Sequence, residues 1–137
     1  MGRIYTVFSG KGLVNAVEVF GDVFGGDRPV PCGEYNELEI YMNYVKGSVA
    51  AANGTMKVYW GTNGSTYYVP TLITDANPTV IDNTKPMSWQ IATAASFTVP
   101  LTFGIPIRGN LCRISMFLND ASAHTCSFTV QASPRLR

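Results

Sequence analysis

Hydrophobic and polar residues alternate with a period of two along most of this chain, the spacing of strands that bury one face. The clearest run is Asn36 to Val49. Leu38, Ile40, Met42 and Tyr44 fall on one side of it, and Glu37, Glu39, Tyr41 and Asn43 on the other. This predicts a half-buried antiparallel strand with a solvated outer face. Thr55 to Trp60 repeats the pattern, with Met56, Val58 and Trp60 set against Lys57 and Tyr59. Asn110 to Leu118 points Cys112, Ile114, Met116 and Leu118 inward and Arg113 and Ser115 outward. Thr125 to Ala132 points Cys126, Phe128 and Val130 inward. Ile4 to Phe8, Leu13 to Phe20, Thr66 to Val69, Ser88 to Val99 and Phe103 to Ile107 are further extended segments. One helical turn fits at Ala92–Ala95, although the β-branched and aromatic residues around it favour strand.

Glycine and proline punctuate these runs. Residues 21–35 hold Gly21, Gly25, Gly26, Pro29, Pro31 and Gly33 and read as a long loop, as do residues 74–87 with Asn77-Pro78 and Pro86. Asn53-Gly54 and Asn63-Gly64 are the strongest short hairpin signals, because both residue types tolerate positive φ. A hairpin loop is expected at Asp120–Ala123. The result is about eight short strands and no convincing amphipathic helix. It predicts an all-β fold: a single antiparallel β-sandwich of jelly-roll or Greek-key type over residues 1–137. Residues 1–9 read as an N-terminal arm and 133–137 as a tail.

Composition narrows the function. The chain has 137 residues, of which 46% are hydrophobic and only 14% charged, against about 25% charged in ordinary soluble proteins. Much of the surface is therefore neutral and cheap to desolvate, which suits a subunit packed against other chains. The net charge is +1 and the lysines and arginines are scattered, so phosphate neutralisation gives no reason to expect nucleic-acid binding. No apolar run approaches the roughly 18–20 residues that span a bilayer, and no signal peptide is read. Cys32, Cys112 and Cys126 lack metal-ligand spacing and are odd in number. They read as buried free thiols made in a reducing compartment.

Candidate chemistry is sparse. His124 stands alone. Gly10-Lys11-Gly12 fails the phosphate-loop pattern, with Tyr5 and Gly12 where glycine and Ser or Thr are required. Glu37 and Glu39 share one strand face, which fits a solvated surface better than a carboxylate pair across a cleft. Glu18, Asp22, Asp27 and Glu34 lack calcium-loop spacing. No G-x-S-x-G elbow occurs. The sequence thus predicts no catalytic residue, metal or cofactor, and a protein that works by binding or assembly rather than as an enzyme.

The aromatics are the remaining signal. Tyr59, Trp60, Tyr67 and Tyr68 crowd one expected hairpin beside Tyr41 and Tyr44, and a period of two turns Tyr41, Tyr59 and one of Tyr67 and Tyr68 outward. Such a row suits a protein interface, a sugar-stacking surface of a carbohydrate-binding or receptor-binding module, or plain cross-strand pairing.

The segment from Leu38 to Gly47, followed by Met56 to Gly61, Asn63-Gly64 and Tyr67-Tyr68, resembles the small β-sandwich structural proteins of tailed bacteriophages. There, a strand ending in aromatic-x-Lys-Gly leads to a strand ending in an aromatic, then an Asx-Gly turn and an aromatic strand. The resemblance covers residues 36–70. It implies a capsid decoration or cement protein on the virion surface, made in the host cytoplasm. Its partners would be the major capsid protein and two further copies of itself in a homotrimer, with neither nucleic acid nor membrane involved. The expected contact residues are Arg3, Tyr5 and Val7 on an edge that could add to a neighbour's sheet, Phe24 and Arg28 in the 21–35 loop, Tyr41, Tyr59 and Tyr67, and Arg135 in the tail. On this reading, removing residues 1–9 weakens particle binding and leaves the fold intact.

Overall fold

The residues described in a computed structural model of the chain are 3–13, 17–47, 53–63, 66–68, 88–93, 95–118 and 126–137. The period-two runs become strands, because alternation lets each bury one face and satisfy its backbone in a ladder. The segments are β1 (Tyr5–Lys11), β2 (Val19–Phe20), β3 (Val30–Pro31), β4 (Glu37–Val45), β5 (Asn53–Gly61), β6 (Tyr67–Tyr68), β7 (Ser88–Ala92), β8 (Leu101–Pro106), β9 (Leu111–Leu118) and β10 (Ser127–Arg135). No helix occurs among the described residues, including the described part of Ala92–Ala95.

Two antiparallel sheets face each other. The first is four-stranded, in the order β1-β10-β4-β8. In the second, β9 and β5 are central; β2 and β3 pair in tandem with β9, and β6 and β7 in tandem with β5. Taken as two interrupted strands, those pairs give the strand order of a double-Greek-key jelly roll. Leu38, Ile40, Met42 and Tyr44 of β4 and Phe128, Val130 and Ala132 of β10 meet Met56, Val58 and Trp60 of β5 and Cys112, Ile114, Met116 and Leu118 of β9, all buried. The Tyr44 hydroxyl donates to the Thr93 carbonyl at 2.8 Å, so this large side chain enters the core with its polar end matched. All three cysteines are free and buried.

Several expectations are corrected. Asn53-Gly54 is not a turn: both residues lie in β5, paired with Ala92 and Ile91 of β7, and β4 and β5 belong to opposite sheets. β9 and β10 also lie in opposite sheets, so they are not a hairpin; Asp120–Ala123 and His124 lie outside the described residues, as do residues 74–87 and Gly64. Of Leu13 to Phe20, only Val19–Phe20 is strand among the described residues. Ser115 lies on the outer face as its period requires but is fully buried there.

The arm and the tail are both strands of the first sheet. β1 pairs with β10 through register shifts between Thr6 and Phe8 and again before Lys11. The bulge turns consecutive Val7 and Phe8 into the core, both at 0% exposure. Val7 therefore cannot touch a partner. β10 runs on through Ser133, Pro134 and Arg135, opposite Glu39, Leu38 and Glu37. The Arg135 carbonyl accepts from Asn36 on the β4 side, so the Pro134 nitrogen faces the β1 side, beyond that strand's first pair at Tyr5 and Ala132. Proline costs no ladder hydrogen bond there.

Burying Val7 and Phe8 contributes about 1.5–3 kcal/mol each, a large share of the roughly 5–15 kcal/mol that holds a domain together. Deleting residues 1–9 is accordingly expected to abolish the cooperative thermal transition seen by circular dichroism. A truncated chain that still melts cooperatively would refute this placement. Glu34 sits at φ 73° in the turn before β4, a region that strains a side chain-bearing residue. Glu34→Gly should raise stability to denaturant by about 1 kcal/mol.

Candidate interaction surface

The surface is built on the segment after β2. Gly21 donates to the Ile114 carbonyl of β9 at 3.1 Å, while Asp22 and Phe24 donate to the Val7 and Thr6 carbonyls of β1 at 3.1 and 3.2 Å. One short segment thus closes the side of the sandwich where β1 meets the other sheet. Glycine is required at Gly21, where a Cβ would lie 1.7 Å from the Phe24 carbonyl oxygen, and at Gly25, which has φ +85° and is wedged between Val7 and Ile114. The Thr6 and Val7 carbonyls of β1 are therefore occupied by their own chain and offer no free acceptor for the expected strand addition along Arg3–Phe8.

The same segment presents a belt in which arginines and aromatic rings alternate. The Arg3 guanidinium lies 5.3 Å from the centre of the Tyr5 ring. Tyr5 meets Phe24 edge-on at 4.9 Å, and Arg28 covers Phe24 at 4.6 Å. On the outer face of the second sheet, Arg113 lies 4.1 Å from Phe20 and 5.2 Å from Tyr67. Phe20 leans on Tyr59 at 5.4 Å. Flat guanidinium on aromatic ring is a favourable and rigid pairing. Tyr67 lies over Gly61, where a Cβ would come within 2.6 Å of its ring. An open cleft of about 470 Å³ joins the two halves, lined by Phe20, Asp22, Asp27, Arg28 and Arg113 among others.

Tyr59 is the most perturbed group in the belt. Its hydroxyl donates to Glu18 Oε1 at 2.5 Å. Burial first, and then the bond to the Glu18 carboxylate, push its pKa up to about 12.

The remaining expected residues lie elsewhere. Tyr41 is on the outer face of the first sheet, where Arg135 covers its ring and donates to its hydroxyl. Tyr41 and Tyr59 thus sit on opposite sides of the sandwich, and the single tyrosine row does not form. Glu37 and Glu39 receive Arg137, at 2.8 and 3.4 Å, and Thr102 donates to Glu39 at 2.7 Å. That hydroxyl, with Arg137, holds the Glu39 carboxyl below its usual range. The tail is further tied by Asn36, which exchanges hydrogen bonds with the Arg137 backbone at 3.0 and 2.9 Å. Among the described residues no cluster of His, Cys, Asp and Glu could hold a metal ion.

Of the expected contact residues, Arg3, Tyr5, Phe24, Arg28, Tyr59 and Tyr67 are gathered in or beside the belt, and Val7, Tyr41 and Arg135 are not. Arg113 and Phe20 were missed. Arg113 reads as an outward residue from its strand period, but its place opposite Tyr59 depends on which strands pair.

Because the folded pKa of Tyr59 is raised, its contribution to stability is fully present below the ordinary tyrosine value of about 10 and is lost as pH climbs toward about 12. Denaturant midpoints should therefore fall across that interval. Tyr59→Phe should flatten the fall and remove the last-titrating phenolate from an ultraviolet titration.

No family model and no curated protein matches the sequence. Among solved structures the chain is similar to vertex protein P5 of phage PRD1, with a TM-score of 0.52 and 10% identity, over 96% of this chain and 93% of that one. It also aligns with a structure described as a Bacillus endospore appendage, of a family of disulfide-linked pili, at a TM-score of 0.41 and 12% identity over 100% and 92% of the two chains. The likeness to the vertex protein is one of fold.

Proposed function

We propose that this protein is a non-enzymatic structural subunit of a virion, and that it binds and stabilises a phage capsid shell as a decoration or cement protein. The observation that carries the reading is the fold shared with the PRD1 vertex protein over 96% of the chain. The Arg–aromatic belt supports it, since tyrosine and arginine dominate the energetics of protein interfaces. So does a chain with only 14% charged residues.

The mechanism is mass action. A subunit that binds only the assembled lattice stabilises it by its binding free energy. A homotrimer on the capsid surface adds avidity by presenting three belts to neighbouring major capsid subunits at once. Neither nucleic acid nor membrane has a part in this reading. The sugar-binding alternative keeps Tyr59 and Tyr67 on one face, but the Tyr59 hydroxyl is tied to Glu18 and the Tyr67 ring rests over Gly61 and beside Arg113, which favours the protein-interface reading.

Gradient sedimentation of native lysate, with mass spectrometry locating this chain, tests the reading. The chain is expected in fixed stoichiometry with megadalton particles. Arg3→Glu, an exposed change at the end of the belt, is expected to lower the particle-bound fraction roughly tenfold without lowering Tm. A wild-type chain that runs only as a small free oligomer overturns the reading.

A further inference from the structure

We infer that the cleft between the 21–28 segment and β9 is a socket for a carboxylate carried by a partner protein; as an account of how the subunit docks, this rests on the reading above. Two guanidiniums, Arg28 and Arg113, line the cleft. Each is held by an aromatic ring, Phe24 at 4.6 Å and Phe20 at 4.1 Å. A ring beneath a guanidinium takes up none of its in-plane N–H groups, and arginine receives a carboxylate through two such parallel bonds.

Among the described residues neither arginine has that acceptor. The ion pairs found among the described residues join Arg137 to Glu37 and Glu39, and none reaches Arg28 or Arg113. Arg113 Nε is buried and without a hydrogen-bond partner. A half-buried guanidinium with no counter-charge in contact is a destabilising feature that an incoming carboxylate offsets.

The rest of the lining selects among anions. Asp22 and Asp27 stand in the same cleft, so the two positive charges are already opposed by two negative ones. A phosphate, with nearly twice the charge of a carboxylate at neutral pH, meets more repulsion there than a single carboxylate does. Among the described residues no lysine lines the cleft. The socket therefore suits the single charge of an Asp or Glu side chain on a protein surface better than a phosphate dianion.

The test starts with the isolated full-length protein. Propionate and inorganic phosphate are titrated separately while the arginine side-chain Nε–H signals are followed by NMR. Propionate is expected to shift the Arg28 and Arg113 signals saturably and to bind at least about tenfold tighter than phosphate. Asp22→Asn with Asp27→Asn should narrow that gap. Absence of any saturable shift, or phosphate binding as tightly as propionate, overturns the inference. This experiment needs no particle, so its result stands whether or not the chain binds a capsid. In the particle assay, Arg113→Lys keeps the charge and loses the two-pronged edge; it is expected to cut binding at least about tenfold. Should Arg113→Lys lower Tm, Arg28→Lys, on an exposed loop position, is read in its place. Particle binding equal to wild type in the folded variant also overturns the inference.

Discussion

The side of the sandwich where β1 meets the second sheet has to be closed, and the backbone of residues 21–24 closes it. Its amides reach carbonyls in both sheets, Ile114 in one and Thr6 and Val7 in the other. A sheet edge left open is a template for uncontrolled pairing. Here the Thr6 and Val7 carbonyls on that edge are matched by a segment too tightly folded to carry side chains at Gly21 and Gly25. Everything described on that side follows from this closure. It sets Phe24 against Tyr5, brings Arg28 near Arg113, and leaves a cleft instead of a flush wall.

Closure also accounts for how the belt differs from the opposite surface. On the outer face of the first sheet, Arg137 meets Glu37 and Glu39, Thr102 meets Glu39, and Arg135 meets Tyr41. The charges there have found partners within the chain. Around the cleft, Arg28 and Arg113 rest on rings rather than on carboxylates. A β-sandwich is a scaffold compatible with many functions, and such local differences are what set its two outer faces apart.

The sequence was legible where one physical rule decided the outcome. β4, β5, β9 and β10 each turn alternate residues inward, and those inward sets were readable residue by residue. Val7 and Phe8 defied the period because a bulge turns neighbouring side chains to the same face. Asn53-Gly54 obeyed local turn grammar but was absorbed by long-range pairing with β7 and β9. Residues 133–137 read as a tail, yet β10 runs on to Arg135, and the place where β1 ends makes Pro134 harmless there. The tyrosine row failed for a related reason. Period two tells which residues share a side of one strand, but which sheet the strand joins decides the side of the molecule, and that choice is topological. The residues of the belt come from four segments distant in the chain, so no short window contains the site.

The three thiols carry a consequence of their own. Cys32 and Cys112 are at most 1% exposed and Cys126 is 7% exposed, and burial holds the Cys112 thiol well above its ordinary pKa. A thiol that is both shielded and protonated does not react until the structure around it gives way. Cys112 lies on β9, at the centre of the second sheet. The rate at which a thiol-reactive dye labels it would therefore time the opening of the interior rather than count thiols at a surface.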